Sequence, residues 1–378
     1  MEINKVYNSS ISDFTTDVEF DSIVTDPPYG INYRGNQWDS YNECVSFQPE
    51  TWSNLSEFLK PGGYVVIFGA TRTFHRLVCA VEDSGLKIKD QLMWLYGQGM
   101  PKSQNIGKKL DDWEGWGTGL KPCYEPILLA QKPISEKNIA ENIKKHGVGA
   151  INIDDSRVGG TDGRWPGNIL HDGSDEVEKE FKKFGERGNG WSRNYGVEDY
   201  QGRQYGGGVF GGGGYIGNTT YSDSGTASRF FYSTKSSVKE KTHNRTIEND
   251  QPTVKNLELM KYLVKLVTPK NGVILEPFAG SGTTLLAAKE LGYDFVGVDL
   301  EKQNINETIN ALAMASLWRP VCRQPKSGSP RATPTDRSGP PSAAGAGWAA
   351  LRRRRGNRRE ATTMSQGRGA KHLAPHGV

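Results

Sequence analysis

Short apolar runs that end in turn residues alternate along this chain with segments of helical periodicity. That alternation restricts the fold more than any other feature. Phe20–Thr25 (FDSIVT) and Tyr64–Phe68 (YVVIF) read as buried strands. Between them, Thr51–Leu59 reads as a helix stopped by Pro61-Gly62-Gly63. A second helix spans Thr73–Ser84, where Phe74, Leu77, Val78 and Val81 share one face and Gly85 ends the run. Lys87–Tyr96 and Glu125–Gln131 read as two more strands, and strands at Val273–Leu275 and Phe295–Val298 flank a helix from Thr283 to Leu291. This order predicts an α/β fold: a mostly parallel, doubly wound sheet covered on both faces.

Two stretches depart from the pattern. Between Gly185 and Gly217, 13 of 33 residues are glycine, interleaved with Trp191, Tyr195, Tyr200, Tyr205, Phe210 and Tyr215. With no continuous apolar face, the region 150–250 is expected to be a mobile insertion, not a core element. From Trp318 onward the chain is rich in Pro, Gly, Ser, Ala and Arg, densest at Arg352–Arg355, and is expected to be disordered. That tail reads either as a nucleic-acid arm or as an appendage without a role. Residues 318–378 hold 13 Lys/Arg against 2 Asp/Glu, a net of +11, so the overall +4 conceals a body of net −7. Such a body can meet nucleic acid only through local patches.

Composition excludes other classes. No run of 18 apolar residues occurs and the N-terminus lacks a signal pattern, so no membrane partner is expected. Cys44, Cys79, Cys123 and Cys322 form no CxxC pair, which predicts a reducing, cytoplasmic setting. His75, His146, His171 and His243 show no ligand spacing, so no metal is expected. Lys102, Lys108 and Lys109 read as a solvated face or as phosphate contacts.

Two constellations carry chemistry. Thr25-Asp26-Pro27-Pro28-Tyr29-Gly30 follows directly on a buried strand, and ligands of doubly wound sheets bind at the C-terminal ends of strands. Asp-Pro-Pro alone would suit a tight turn. With Tyr29 added, Asp26 and prolyl carbonyls offer acceptors for an exocyclic NH₂, and the tyrosine ring offers a face for its planar base. The second constellation is Glu276-Pro277-Phe278-Ala279-Gly280-Ser281-Gly282-Thr283-Thr284, between a strand and a helix, with Asp299 at the end of the next strand. Leu285 stands where a dinucleotide fingerprint wants a third glycine, and no GK[ST] follows. A glycine turn, an acidic residue for ribose hydroxyls and no phosphate grip suit S-adenosylmethionine.

With these residues in view, the chain resembles the DNA amino-methyltransferases, the N4-cytosine/N6-adenine family, over roughly residues 20–310. TDPPY precedes EPFAGSGTT, which resembles the beta class. Phe68–His75 and Trp94–Ser103 (WLYGQGMPKS) are similar to phage and prophage members. The resemblance implies a Rossmann-like S-adenosylmethionine-dependent sheet with an inserted target-recognition region. It assigns 1–149 and 251–317 to the catalytic and cofactor halves, 150–250 to the insertion and 318–378 to the tail. It implies target-amine roles for Asp26, Pro27, Pro28 and Tyr29. Cofactor roles fall to Thr253, Lys255, Glu276, Phe278, Ala279, Gly280, Gly282, Thr283 and Asp299. Pro252-Thr253-Val254-Lys255 resembles the family's HPTVKP, with Gln251 for the histidine and Asn256 for the second proline. The implied partner is double-stranded DNA in a bacterial or phage-infected cell, as a monomer or homodimer. The implied reaction is methylation of a flipped adenine at N6. Cytosine N4 methylation, or a DNA-binding relative that has lost catalysis, are the alternatives.

Overall fold

The computed structural model describes residues 1–186 except 36, 100, 102 and 161, together with 224–234 and 254–317. All of these fall within one compact unit. Gln251, Pro252, Thr253, most of the glycine-rich insertion and the tail 318–378 lie outside the described residues.

The strands are β1 (Lys5–Asn8), β2 (Phe20–Thr25), β3 (Leu59–Phe68), β4 (Lys87–Leu95), β5 (Tyr124–Gln131), β6 (Ile169–His171), β7 (Tyr232–Ser233), β8 (Val273–Glu276) and β9 (Asp294–Asp299). They form one sheet in the order β1-β9-β8-β2-β3-β5-β4-β6-β7. Only β5 runs against its neighbours, antiparallel to both β3 and β4. The helices are α1 (Pro49–Glu57), α2 (Phe74–Asp83), α3 (Ile139–His146), α4 (Asp175–Lys182), α5 (Leu257–Val267), α6 (Thr283–Leu291) and α7 (Lys302–Leu317).

Two-residue alternation divides each central strand between two cores. Val24, Val66, Phe68, Ile127 and Leu129 face α5 and α6 through Leu259, Met260, Leu263, Leu285 and Ala288. Ile23, Val65, Ile67, Leu128 and Leu275 face α1 and α2 through Trp52, Leu55, Leu77 and Val81. The expected doubly wound, mostly parallel sheet is therefore present, buried on both sides as parallel strands require.

Two expectations are corrected. Pro61-Gly62-Gly63 does not stop a helix: α1 ends at Glu57 and these residues lie inside β3. There the register jumps from Phe20↔Leu59 to Ser22↔Tyr64, so β3 bulges. Gly62 adopts φ +86°, and its N–H and C=O bond Lys132 O and Gln131 Nε2, contacts that no local pattern encodes. The described part of 150–250 is also no separate body. β6 and β7 extend the sheet in parallel from β4, and Leu170 is fully buried. Strands of three and two residues are too short to show a period. Among the described residues, no helix is long and apolar enough to cross a membrane.

Candidate active site

β2 and β8 are adjacent, so the two motifs emerge side by side at the same end of the sheet. Thr25 Oγ1 donates to Glu276 Oε1 and ties the two strand ends together. The loop after Thr25 is pinned from several directions. Buried Asp39 accepts from the N–H groups of Tyr29 (2.8 Å), Gly30 (2.7 Å), Ile31 (3.3 Å) and Tyr33 (2.8 Å). Ser46 Oγ donates to Pro28 O, and Thr73 Oγ1 donates to Tyr29 O, each at 2.7 Å. No described residue donates to the carbonyl of Pro27. Nothing local in the sequence marks Asp39 or Ser46 as anchors of this loop, because a lone polar residue in a loop has no periodicity to betray it.

Asp26 is 27% exposed. Its Oδ1 accepts from Tyr29 Oη at 2.6 Å, and its Oδ2 lies 3.1 Å from Lys255 Nζ. Lys255 also lies 3.1 Å from Glu125 Oε2 and donates to Tyr29 Oη at 2.9 Å. Its ammonium stands 5.2 Å from the Tyr29 ring centroid and 4.9 Å from that of Phe68. Burial alone would push this ammonium down, but Asp26 and Glu125 outweigh it and hold Lys255 above the ordinary lysine range. Burial, reinforced by the same two carboxylates, raises the Tyr29 phenol well above its usual value. The resemblance groups Lys255 with the cofactor residues; its described contacts are with Asp26, Glu125 and Tyr29. In the sequence Glu125 is no more than the first residue of an expected strand.

Asn256 stands where the family pattern has proline, and it caps α5: its Oδ1 accepts from Leu259 N at 2.9 Å. The departure from the pattern thus supplies a helix start of its own.

On the cofactor side, Gly280 (φ +50°) and Gly282 (φ +77°) carry the chain from β8 into α6. A side chain at Gly282 would strike Thr308 of α7, whereas one at Gly280 would meet only Phe278 O, at 3.8 Å. The Gly280 face is therefore open to a ligand. Asp299 Oδ2 accepts from Gly280 N at 2.7 Å, and its Oδ1 accepts from Glu301 N and Asn304 Nδ2. A carboxylate has about four acceptor positions, so Oδ2 keeps room for another donor. Buried Ala279 gives its N–H to Val298 O, and buried Thr283 opens α6, so both shape the turn from behind. Phe278 is half-buried. Glu276 is 1% exposed and takes hydrogen bonds from Thr25, Thr284 and Phe278 N. Burial nevertheless pushes its carboxyl up to about 8. An open glycine turn, a pinned carboxylate beyond it and no phosphate grip fit the cofactor expected from the sequence. Among the described residues, no cluster of His, Cys, Asp or Glu could hold a metal ion.

A family model described as DNA methylase, of the N6 and N4 methyltransferases, matches residues 20–310. The type II methyltransferase M.HindIII of Haemophilus influenzae is 26% identical over 361 residues, covering 83% of this chain and 92% of that protein. M1.MboII of Moraxella bovis, also a type II methyltransferase, is 24% identical over 317 residues, covering 81% and 95%. The crystal structure of the M1.HpyAVI–SAM complex aligns with a TM-score of 0.42 at 19% identity, over 82% of this chain and 98% of that one. With the family match spanning most of its length, this chain belongs to the DNA methylase family of N6 and N4 methyltransferases.

Proposed function

We propose that the protein methylates the exocyclic amine of a base flipped out of double-stranded DNA, and that the base is adenine, modified at N6. The observation that carries this reading is the junction of β2 and β8. There the Asp26 carboxylate and the open face of the Gly280 turn leave neighbouring strand ends joined by the Thr25–Glu276 bond. S-adenosylmethionine, held at Glu276–Gly282 and Asp299, supplies an electrophilic methyl group on sulfur.

The chain's own residues must improve a poor nucleophile. An exocyclic amine shares its lone pair with the aromatic ring, so it attacks weakly. In this reading Asp26 and the Pro27 carbonyl accept its two N–H bonds. They favour a more tetrahedral nitrogen as the transition state forms. Tyr29, fixed by Asp39, Thr73 and Asp26, is the surface on which a flipped base stacks. Once methylated, the nitrogen sheds a proton, for which Asp26 is the adjacent base. We assign sequence reading to the 150–250 insertion, whose described strands β6 and β7 form the sheet edge beside β4.

Asp at position 26, where many cytosine-N4 members of the family have Ser, favours adenine. The test is to sequence modified bases in DNA from cells expressing the protein, with an Asp26→Ala strain as control. N6-methyladenine at one recurring sequence, lost in the control, is expected. N4-methylcytosine would overturn the choice of base, and unmodified DNA would overturn the reading.

A further inference from the structure

Lys255 Nζ lies 3.1 Å from Oδ2 of Asp26, the carboxylate proposed above to receive the target amine. An ammonium has three N–H donors, and all three are engaged, by Asp26 Oδ2, Glu125 Oε2 and Tyr29 Oη. The aromatic faces of Tyr29 and Phe68 flank the ammonium, and the Lys255 side chain is only 13% exposed. Water is therefore a poor substitute partner, and a cation leaving Asp26 needs another carboxylate within reach. Glu125, at the start of β5, lies at the same 3.1 Å from the ammonium as Asp26.

We infer that Glu125 is a positioning residue for methyl transfer: it retains the Lys255 ammonium when the target amine replaces that ammonium on Asp26. Lys255 is then a guard and counter-ion of Asp26, and Glu125 turns its departure into a short rocking motion. The cluster of two carboxylates and one ammonium keeps a net negative charge facing a nitrogen that becomes cationic during the reaction. This inference rests on the methyltransferase reading and deepens it.

Steady-state methyl transfer to duplex DNA by the full chain, with KM and kcat read separately, tests it.

Glu125→Gln should raise KM for DNA about tenfold with a smaller change in kcat, because the ammonium then clings to Asp26 alone. Lys255→Met should lower kcat, because Asp26 and Glu125 lose the cation they share. Glu125→Asp, which keeps the charge on a shorter arm, should recover part of the KM. Calorimetric affinity for S-adenosylmethionine should stay within about twofold of wild type in all three, which verifies the fold independently of turnover. A Glu125→Gln enzyme with wild-type KM for DNA would overturn the inference. So would parallel loss of cofactor affinity and DNA KM in both Glu125 variants, the mark of a merely structural bridge. Wild-type protein that methylates no DNA would instead overturn the functional reading.

Discussion

At the residue scale the site depends on carboxylates performing unlike tasks. Asp26 is partly exposed and pairs with Lys255. Asp39 is buried and gathers four backbone N–H groups of the loop that carries Tyr29. An amide in place of Asp39 would keep the shape but turn NH₂ hydrogens toward backbone N–H donors. Asp39→Asn should cost about 3 kcal/mol, the order expected when charge-assisted bonds to buried donors are lost. For a folded body of this size, with about 2.1 cal/mol/K of unfolding entropy per residue, that corresponds to a fall in Tm of roughly 5 °C. Turnover should drop with it while S-adenosylmethionine still binds, since the cofactor turn is held by other contacts. An unchanged Tm in differential scanning calorimetry would mean the loop is held elsewhere. The Asp-Pro-Pro-Tyr residues were legible in the sequence because they are contiguous and follow a strand. Asp39 and Glu125 were not, because each acts on residues to which no local pattern connects it.

At the element scale, the turn between β8 and α6 separates two uses of glycine. Both Gly280 and Gly282 have positive φ, but only Gly282 is crowded by protein, at the Thr308 side chain of α7. Gly280→Val introduces a β-branched side chain into left-handed backbone, at a strain of roughly 1–3 kcal/mol, on the face left open for the cofactor. Calorimetry should show affinity for S-adenosylmethionine falling at least about tenfold, more than strain elsewhere in the body would produce. Gly282→Val should instead lower thermal stability, because α7 must move. Equal effects of the two substitutions on stability, with cofactor affinity intact, would show that Gly280 does not face the cofactor. α6 itself was read from sequence at its observed bounds, Thr283–Leu291. The helix before β3 was misjudged at its end, since Pro61-Gly62-Gly63 punctuates a bulged strand held by Gln131 and Lys132.

At the scale of the whole molecule, charge is unevenly divided: −7 over residues 1–317 and +11 over 318–378. Duplex DNA is repelled by the first and attracted by the second. Cutting the chain after Leu317 should therefore weaken binding to non-target DNA at low salt, and the loss should shrink as salt rises, because basic residues act through counterion release. The modified sequence should be unchanged, as specificity is assigned to the 150–250 insertion. A salt-independent loss, or a shift in the modified sequence, would give the tail a part in recognition.

Apolar runs and turn residues along the chain specify the layered α/β sheet and put Asp26, Tyr29, Gly280 and Asp299 at or just beyond strand ends. Apolar periodicity and contiguous turn chemistry are local properties, and local properties survive in one dimension. Tertiary structure alone decided that β6 and β7 join the sheet edge. It alone brought Lys255 onto Tyr29 from 226 residues away and set Glu125 beside both Lys255 and, through it, Asp26. Those meetings follow from strand order and register, which place distant strand ends at one rim of the sheet, and no periodicity along the chain records which ends will be neighbours.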